Sequence, residues 1–196
     1  DIDVLDPNDI AAINARAIAG LSTANIAALD TAQLAALTSA QVSALTTAQV
    51  RALTSSQVAS LSSGQFAALS STQIRTLSTD SIVALNTDQV AALNSRVIGA
   101  LSTEQLVAMT TAQIEALTPA QVAALGSAAI RALESADLQV FSTADIAAIG
   151  TGAIAGLSTD DIGDLSTSQL LALTTPQVQA MNDYQLAAVL AAYQEI

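Results

Sequence analysis

A period of eight residues runs from Leu5 to Ala188 without an insertion or a deletion, making 23 consecutive octads. A fixed period constrains the fold before any single residue does, because every unit must offer the same faces to its neighbours. The consensus is L-S/T-T/S-A-Q-V/I-A-A, as in "LTTAQVRA" from Leu45 to Ala52. Position one holds eighteen Leu, with Ile13, Met109, Phe141, Ile149 and Met181 in the other octads. Position six is always Ile, Val, Leu or Phe, and position eight is mostly Ala.

Position two carries eight Ser, six Thr, four Asn and two Asp, with Gly126, Glu134 and Gly150 departing. Those are the short oxygen-bearing side chains that accept from the free N–H groups at a helix start. Gln stands three residues later in thirteen octads and completes a capping box, as in Thr46 with Gln49, Thr110 with Gln113 and Thr174 with Gln177. Thr54 and Thr118 are caps of the same kind. Pro7 and Pro119 fall directly after the cap, where a missing N–H costs nothing, and Pro176 falls one residue later. Each octad is therefore predicted to be one helix of about six or seven residues, ending where the next cap begins.

One long helix fits the pattern badly. Eight residues in two turns need 4.0 per turn against 3.6, so the apolar stripe would drift by about 80° per octad. A strand would send positions one and six to opposite faces. In a helix, position six and the next position one are three apart and share a face. Val50 then meets Leu53 and Ile114 meets Leu117, and the predicted core includes Leu45, Val50, Leu53, Leu85, Val90, Ile114 and Leu117. The charges agree: none of the five Arg and seventeen acidic residues occupies position one or six. Positions three, four and seven form the outer face, and the small residue at position eight is where a neighbouring helix is expected to pack.

A helix this short cannot hold itself. The expected fold is an all-α repeat solenoid or superhelix of short helices, one per octad. It spans residues 5–188, after a lead-in of residues 1–4 and before a capping helix segment at 189–196. Ala27, Ala59, Ala91, Ala123, Ala155 and Ala187 put Ala at position seven of every fourth octad, a hint of four helices, or 32 residues, per turn. Asn182 is expected to cap a longer final helix, about Asp183 to Glu195. There Tyr184, Leu186, Leu190 and Tyr193 would close the end of the core.

Composition narrows function. A net charge of −12 with no Lys leaves nothing to neutralise phosphate, so nucleic acid and anionic membrane surfaces are poor partners. With no Cys and no His, thiol chemistry, imidazole bases and the usual zinc, copper and haem ligands are absent. A polar pair interrupts every apolar run, which argues against membrane insertion. No cofactor is expected. The many Ser and Thr recur as caps with no base to activate them, and the reading is non-enzymatic.

Acidic clusters at Asp1 and Asp3, and at Asp160, Asp161 and Asp164, are the calcium candidates, since hard cations take carboxylate oxygens. Against them, Asp6 reads as a cap with Asp9 as its box partner, and Asp160 and Asp161 suit the first turn of a helix. The glycine and spacing of an EF-hand loop are missing. Asp164 replaces the small position-eight residue and marks a widened turn, a metal contact or an exposed seam.

Two resemblances arise. "LTPAQVAALGS" (Leu117 to Ser127) resembles the first helix of the DNA-reading repeats of TAL effectors. The octad period and the acidic charge depart from that pattern. Over nearly the whole chain, octads such as "ALTTAQ" (Ala44 to Gln49) and "AMTTAQ" (Ala108 to Gln113) resemble the tandem repeats of large secreted or surface proteins of Gram-negative bacteria, adhesin-like or haemagglutinin-like. This resemblance implies an extracellular or cell-surface setting and a stalk or scaffold role. The chain opens at Asp1 with no Met and no signal peptide, and reads as part of a longer one. The other reading is a binding module that takes a protein or glycan partner on its outer face, around Glu134 to Asp164, where the consensus is weakest.

Overall fold

The computed structural model describes residues 2–194, and every regular element among them is helical. With octad 1 taken as residues 5–12, octads 1 to 18 each form one α-helix. Octad 19 instead makes a 3₁₀ turn over Ile154–Gly156, after which four α-helices complete the series. The last, Asp183–Gln194, is the longest at 12 residues. The expected end at Glu195 lies outside the described residues. No helix among the described residues is long and apolar enough to cross a membrane.

The octad helices run four to six residues; those like Thr47–Ala52 have the six expected, and those like Pro119–Val122, with four, fall short of it. They tighten before they end: the N–H of the next position one bonds only three residues back, as Leu53 does to Val50 O at 3.2 Å. The chain then turns on two extended residues. Leu53 has φ −69°, ψ 136° and Thr54 φ −74°, ψ 160°. Any side chain adopts such angles, and no described residue has positive φ. A turn every eight residues is thus made by a Leu and a cap, with no glycine required.

Most position-two side chains accept from their own helix start. Thr46 Oγ1 accepts from Gln49 N at 3.2 Å, and Gln49 Oε1 accepts from Thr46 N at 2.7 Å. Thr54, Thr110 and Thr118 accept in the same way from Gln57, Gln113 and Gln121. At Thr174 both the N–H and the hydroxyl donate to Gln177 Oε1. Thr46→Ala is expected to lower stability by about 0.5–2 kcal/mol in urea unfolding. An unchanged midpoint at Thr46 and at Thr110 would count against the caps as helix starters.

The chain forms two compact units, residues 1–101 and 102–196. Within each, a helix packs on the helix three octads later. Pro7–Ala12 lies on Thr31–Ala36 and Ala15–Ile18 on Ser39–Ala44 in the first unit. Thr103–Val107 lies on Ser127–Ala132 and Pro119–Val122 on Thr143–Ala148 in the second. Helices thus stack three octads on while side-chain bonds reach 28 to 31 residues back, so one turn falls between three octads and the four that position seven hints at. Position seven misleads because Ala27, Ala91 and Ala123 face outward and carry no packing information.

Positions one and six fill the interior. Val50 and Ile114 are wholly buried, and Leu45, Leu53, Leu85, Val90 and Leu117 are buried with them. The final helix differs from expectation. Tyr184 is 81% exposed, Leu190 and Tyr193 are also exposed, and Leu186 is half-buried. Gln185 and Val189 are buried instead, because they continue positions five and one of the octad register while Tyr184 and Leu190 fall on outward positions. Tyr193 contributes through its hydroxyl, which donates to Leu170 O at 3.1 Å.

Candidate functional site: a glutamine that ties one turn to the next

The most specific chemistry in the fold lies at position five. A capping box asks only for an acceptor there, so Glu would serve as well as Gln. Yet the position-five glutamines are buried; Gln49 and Gln177 are each 1% exposed and Gln89 is 0% exposed. Their amide oxygens close the box and their amide nitrogens do something else. Gln49 Nε2 donates to Ile18 O and Leu21 O, both at 2.8 Å. Gln41 reaches Ile10 O and Ile13 O at 2.8 and 2.7 Å, and Gln89 reaches Val58 O and Leu61 O at 3.0 and 2.8 Å. In the second unit Gln169, Gln177 and Gln185 repeat the contact on Leu138 and Phe141, Ile146 and Ile149, and Ile154 and Leu157.

These carbonyls, 28 and 31 residues back, lie at the C-terminal end of the helix four octads earlier, where the one 31 back already accepts a single bond from the next position one, as Ile18 O does from Leu21 N at 3.1 Å. One amide thus satisfies the start of its own helix and the end of another. Both halves are desolvated, so each bond forms in a low dielectric where an unmade partner is costly. Gln33 is the first glutamine at position five, and it is also the first with described carbonyls beneath it, those of Leu5 and Ile2.

Sequence reasoning assigned Gln to the cap and overlooked its second bond. The available signal was the choice of Gln in thirteen octads with Glu in none. A cap alone has no use for an N–H donor.

Octads 16 to 20 break the rule together: Ala129, Asp137, Asp145, Ala153 and Asp161 stand at position five. This is the stretch from Glu134 to Asp164 and its approaches. The caps Gly126 and Glu134 make no side-chain bond to their helices. Octad 19 packs by close backbone approach instead. A Cβ on Gly156 would lie 2.3 Å from Ser127 O and 3.0 Å from Ile130 Cβ. Gly156→Ala is expected to cost about 1–3 kcal/mol through overpacking, read as a lower urea midpoint. Gly152→Ala, where a Cβ meets nothing within 4 Å, serves as the control.

The acidic candidates are not drawn into one site. Asp160 and Asp164 are exposed. Asp161 closes the box with Ser158 N at 2.8 Å and accepts from Ser135 Oγ at 2.9 Å, so its carboxylate is spent within the fold. Asp1 lies outside the described residues, as does the side chain of Asp3. Among the described residues no group of three or more acidic side chains could hold a metal ion. In the first unit, Ser70, Ser71, Asn94 and Arg96 line an open hollow beside Val97, where octad 12 carries an apolar residue in place of Gln.

A comparison with curated proteins gives no match. The signature of the ALTTAQ repeat matches six times, at residues 2–39, 26–63, 58–95, 98–127, 130–167 and 154–190. With all but a few residues inside these matches, and the Gln-linked octads accounting for why the motif recurs, the chain belongs to the ALTTAQ repeat family.

Proposed function

We propose that this array is a non-catalytic stalk or scaffold within a larger bacterial protein that is secreted or displayed at the cell surface. The observation that carries the reading is where the recurring polar chemistry goes. Position two caps its own helix and position five binds the helix four octads back, so the side chains repeated most often are consumed in holding the chain to itself. A mechanical or spacing element needs that, and a catalyst needs groups left over. The setting is supported by the likeness of the octads to repeats of adhesin-like and haemagglutinin-like proteins.

The test is to delete octads from the gene of the whole protein. A spacer is expected to keep the activity of the parts it joins while their separation shortens, and antibodies against the array should label intact cells. Loss of a partner on deletion, with no labelling of intact cells, would overturn it.

The second reading is a module that binds a protein or glycan around residues 134–164. It is favoured by the loss of the position-five glutamine through that stretch. Restoring Gln at Asp137 and Asp161 should then abolish binding on glycan or protein arrays, whereas a scaffold would show no saturable binding to lose.

A further inference from the structure

Asp145 is the one position-five carboxylate that the fold buries, at 5% exposure. Its Oδ2 accepts from Ser142 N at 2.9 Å and from the Ser142 hydroxyl. Its Oδ1 is buried and has no hydrogen-bond partner. Asp161 meets the same problem with Ser135, 26 residues earlier. The residue 26 before Asp145 is Pro119, which has neither hydroxyl nor N–H.

The glutamines at position five define the register that Asp145 shares. In the same unit, Gln169 Nε2 lies 2.9, 3.2 and 2.8 Å from the carbonyl oxygens 31, 30 and 28 residues back. Gln177 Nε2 lies at 2.7, 3.3 and 2.8 Å from its own three. The amide nitrogen thus marks a point where three carbonyls converge at the end of a helix, the end that favours positive charge. For Asp145 those carbonyls are Ile114, Glu115 and Leu117. Thr111–Glu115 packs on Ser135–Gln139 and Pro119–Val122 on Thr143–Ala148, so the three-octad packing is kept on both sides of this point. Asp is one methylene shorter than Gln and, as a carboxylate, has no N–H to offer those carbonyls.

We infer that this point binds a bare monovalent metal cation, sodium or potassium, held by Asp145 Oδ1 and the carbonyl oxygens of Ile114, Glu115 and Leu117. Oxygen donors of this kind replace a cation's hydration shell where backbone carbonyls converge. A single carboxylate neutralises a single positive charge. A divalent ion would leave a buried net charge and lack the six or more ligands, including waters, that it takes elsewhere. The cation does for Asp145 what the amide N–H does for Gln, bridging one turn to the helix end beneath it.

The test is thermal unfolding of the full chain at fixed ionic strength, with choline chloride exchanged stepwise for sodium or potassium chloride. Choline is too large for the site. The transition is expected to rise by at least about 2 °C in the metal salts. Asp145→Gln, which restores the family pattern, should lose that response and match in choline the stability of the unaltered chain in potassium. Crystals soaked in thallium, a potassium mimic, should show anomalous density within coordination distance of Asp145 Oδ1. No shift, an equal shift in Asp145→Gln, a response to calcium alone, or a position filled by a water with no anomalous signal would each overturn the inference.

Discussion

Gln49→Glu is expected to destabilise the first unit by at least about 3 kcal/mol at neutral pH. In an isolated helix the same change is mildly favourable, since a carboxylate at the third position suits both the capping box and the helix dipole. The array reverses the sign. Gln49 is 1% exposed, and its nitrogen gives two bonds to Ile18 O and Leu21 O. A carboxylate keeps the bond from Thr46 N but turns its other oxygen, charged and desolvated, toward two acceptors. Gln49→Met removes the same donor without adding charge and should cost less, about 1–3 kcal/mol for the unpaired carbonyls and cap.

The pH dependence separates charge from lost packing. In the folded variant, burial beside carbonyl oxygens holds the introduced carboxyl in its neutral form, so the native state binds its proton more tightly than the unfolded chain. The folded pKa lies above the unfolded value of about 4.3. Variant stability is then greatest below that value and falls as pH rises through the folded pKa. Urea unfolding at several pH values should show Gln49→Glu approaching Gln49→Met in acid and falling below it near neutrality. Two parallel lines would mean that position five is a cap residue and nothing more.

Local rules made part of this fold readable. Thr46, Gln49, Val50 and Leu53 announce a helix start, its partner and its buried stripe by spacing alone, because each interaction spans three or four residues. The distance to the next turn is not local. It is set where Gln49 meets Ile18 and Leu21, and no spacing within an octad encodes a span of 28 to 31 residues. Position-seven Ala pointed to 32 only because that position faces outward and is free to vary. Gly156 was equally opaque: its cause is the backbone of Ser127, which lies far off in sequence. The same reasoning explains Tyr184 and Leu190. Their apolar character drew them toward the core, but the octad register continues into the final helix and places them outside.

The candidate site was half visible for a related reason. The stretch from Glu134 to Asp164 stood out as irregular in sequence, and the structure supplies the physical content of that irregularity. It is where amide donors give way to Asp137, Asp145 and Asp161, and to small residues at Ala129 and Ala153. Whatever links turns there must use hydroxyls, close backbone contact or a bound ion. Ser135 on Asp161, Arg131 Nη2 on Ala155 O at 3.4 Å, and Gly156 against Ser127 are three such substitutes in one neighbourhood.

Phe66→Ala should cost about 3–5 kcal/mol, the typical price of emptying an aromatic site in a packed core. Phe66 is wholly buried at position six of octad 8, where most octads carry Val or Ile. Its helix, Ser63–Ala67, touches Ser39–Ala44 on one side and Thr87–Ala92 on the other. In a repeat array, stability is close to a sum of unit and nearest-neighbour contributions, so a cavity in one octad weakens the two interfaces it shares. Amide exchange should therefore accelerate over residues 39–44 and 87–92, while residues 159–194 keep their protection. Tyr184→Ala, at an outward position, should change stability by no more than about 0.5 kcal/mol. Uniform loss of protection along the whole chain would show that the octads unfold as one cooperative body, and that pairwise contacts three octads apart do not set where this fold gives way.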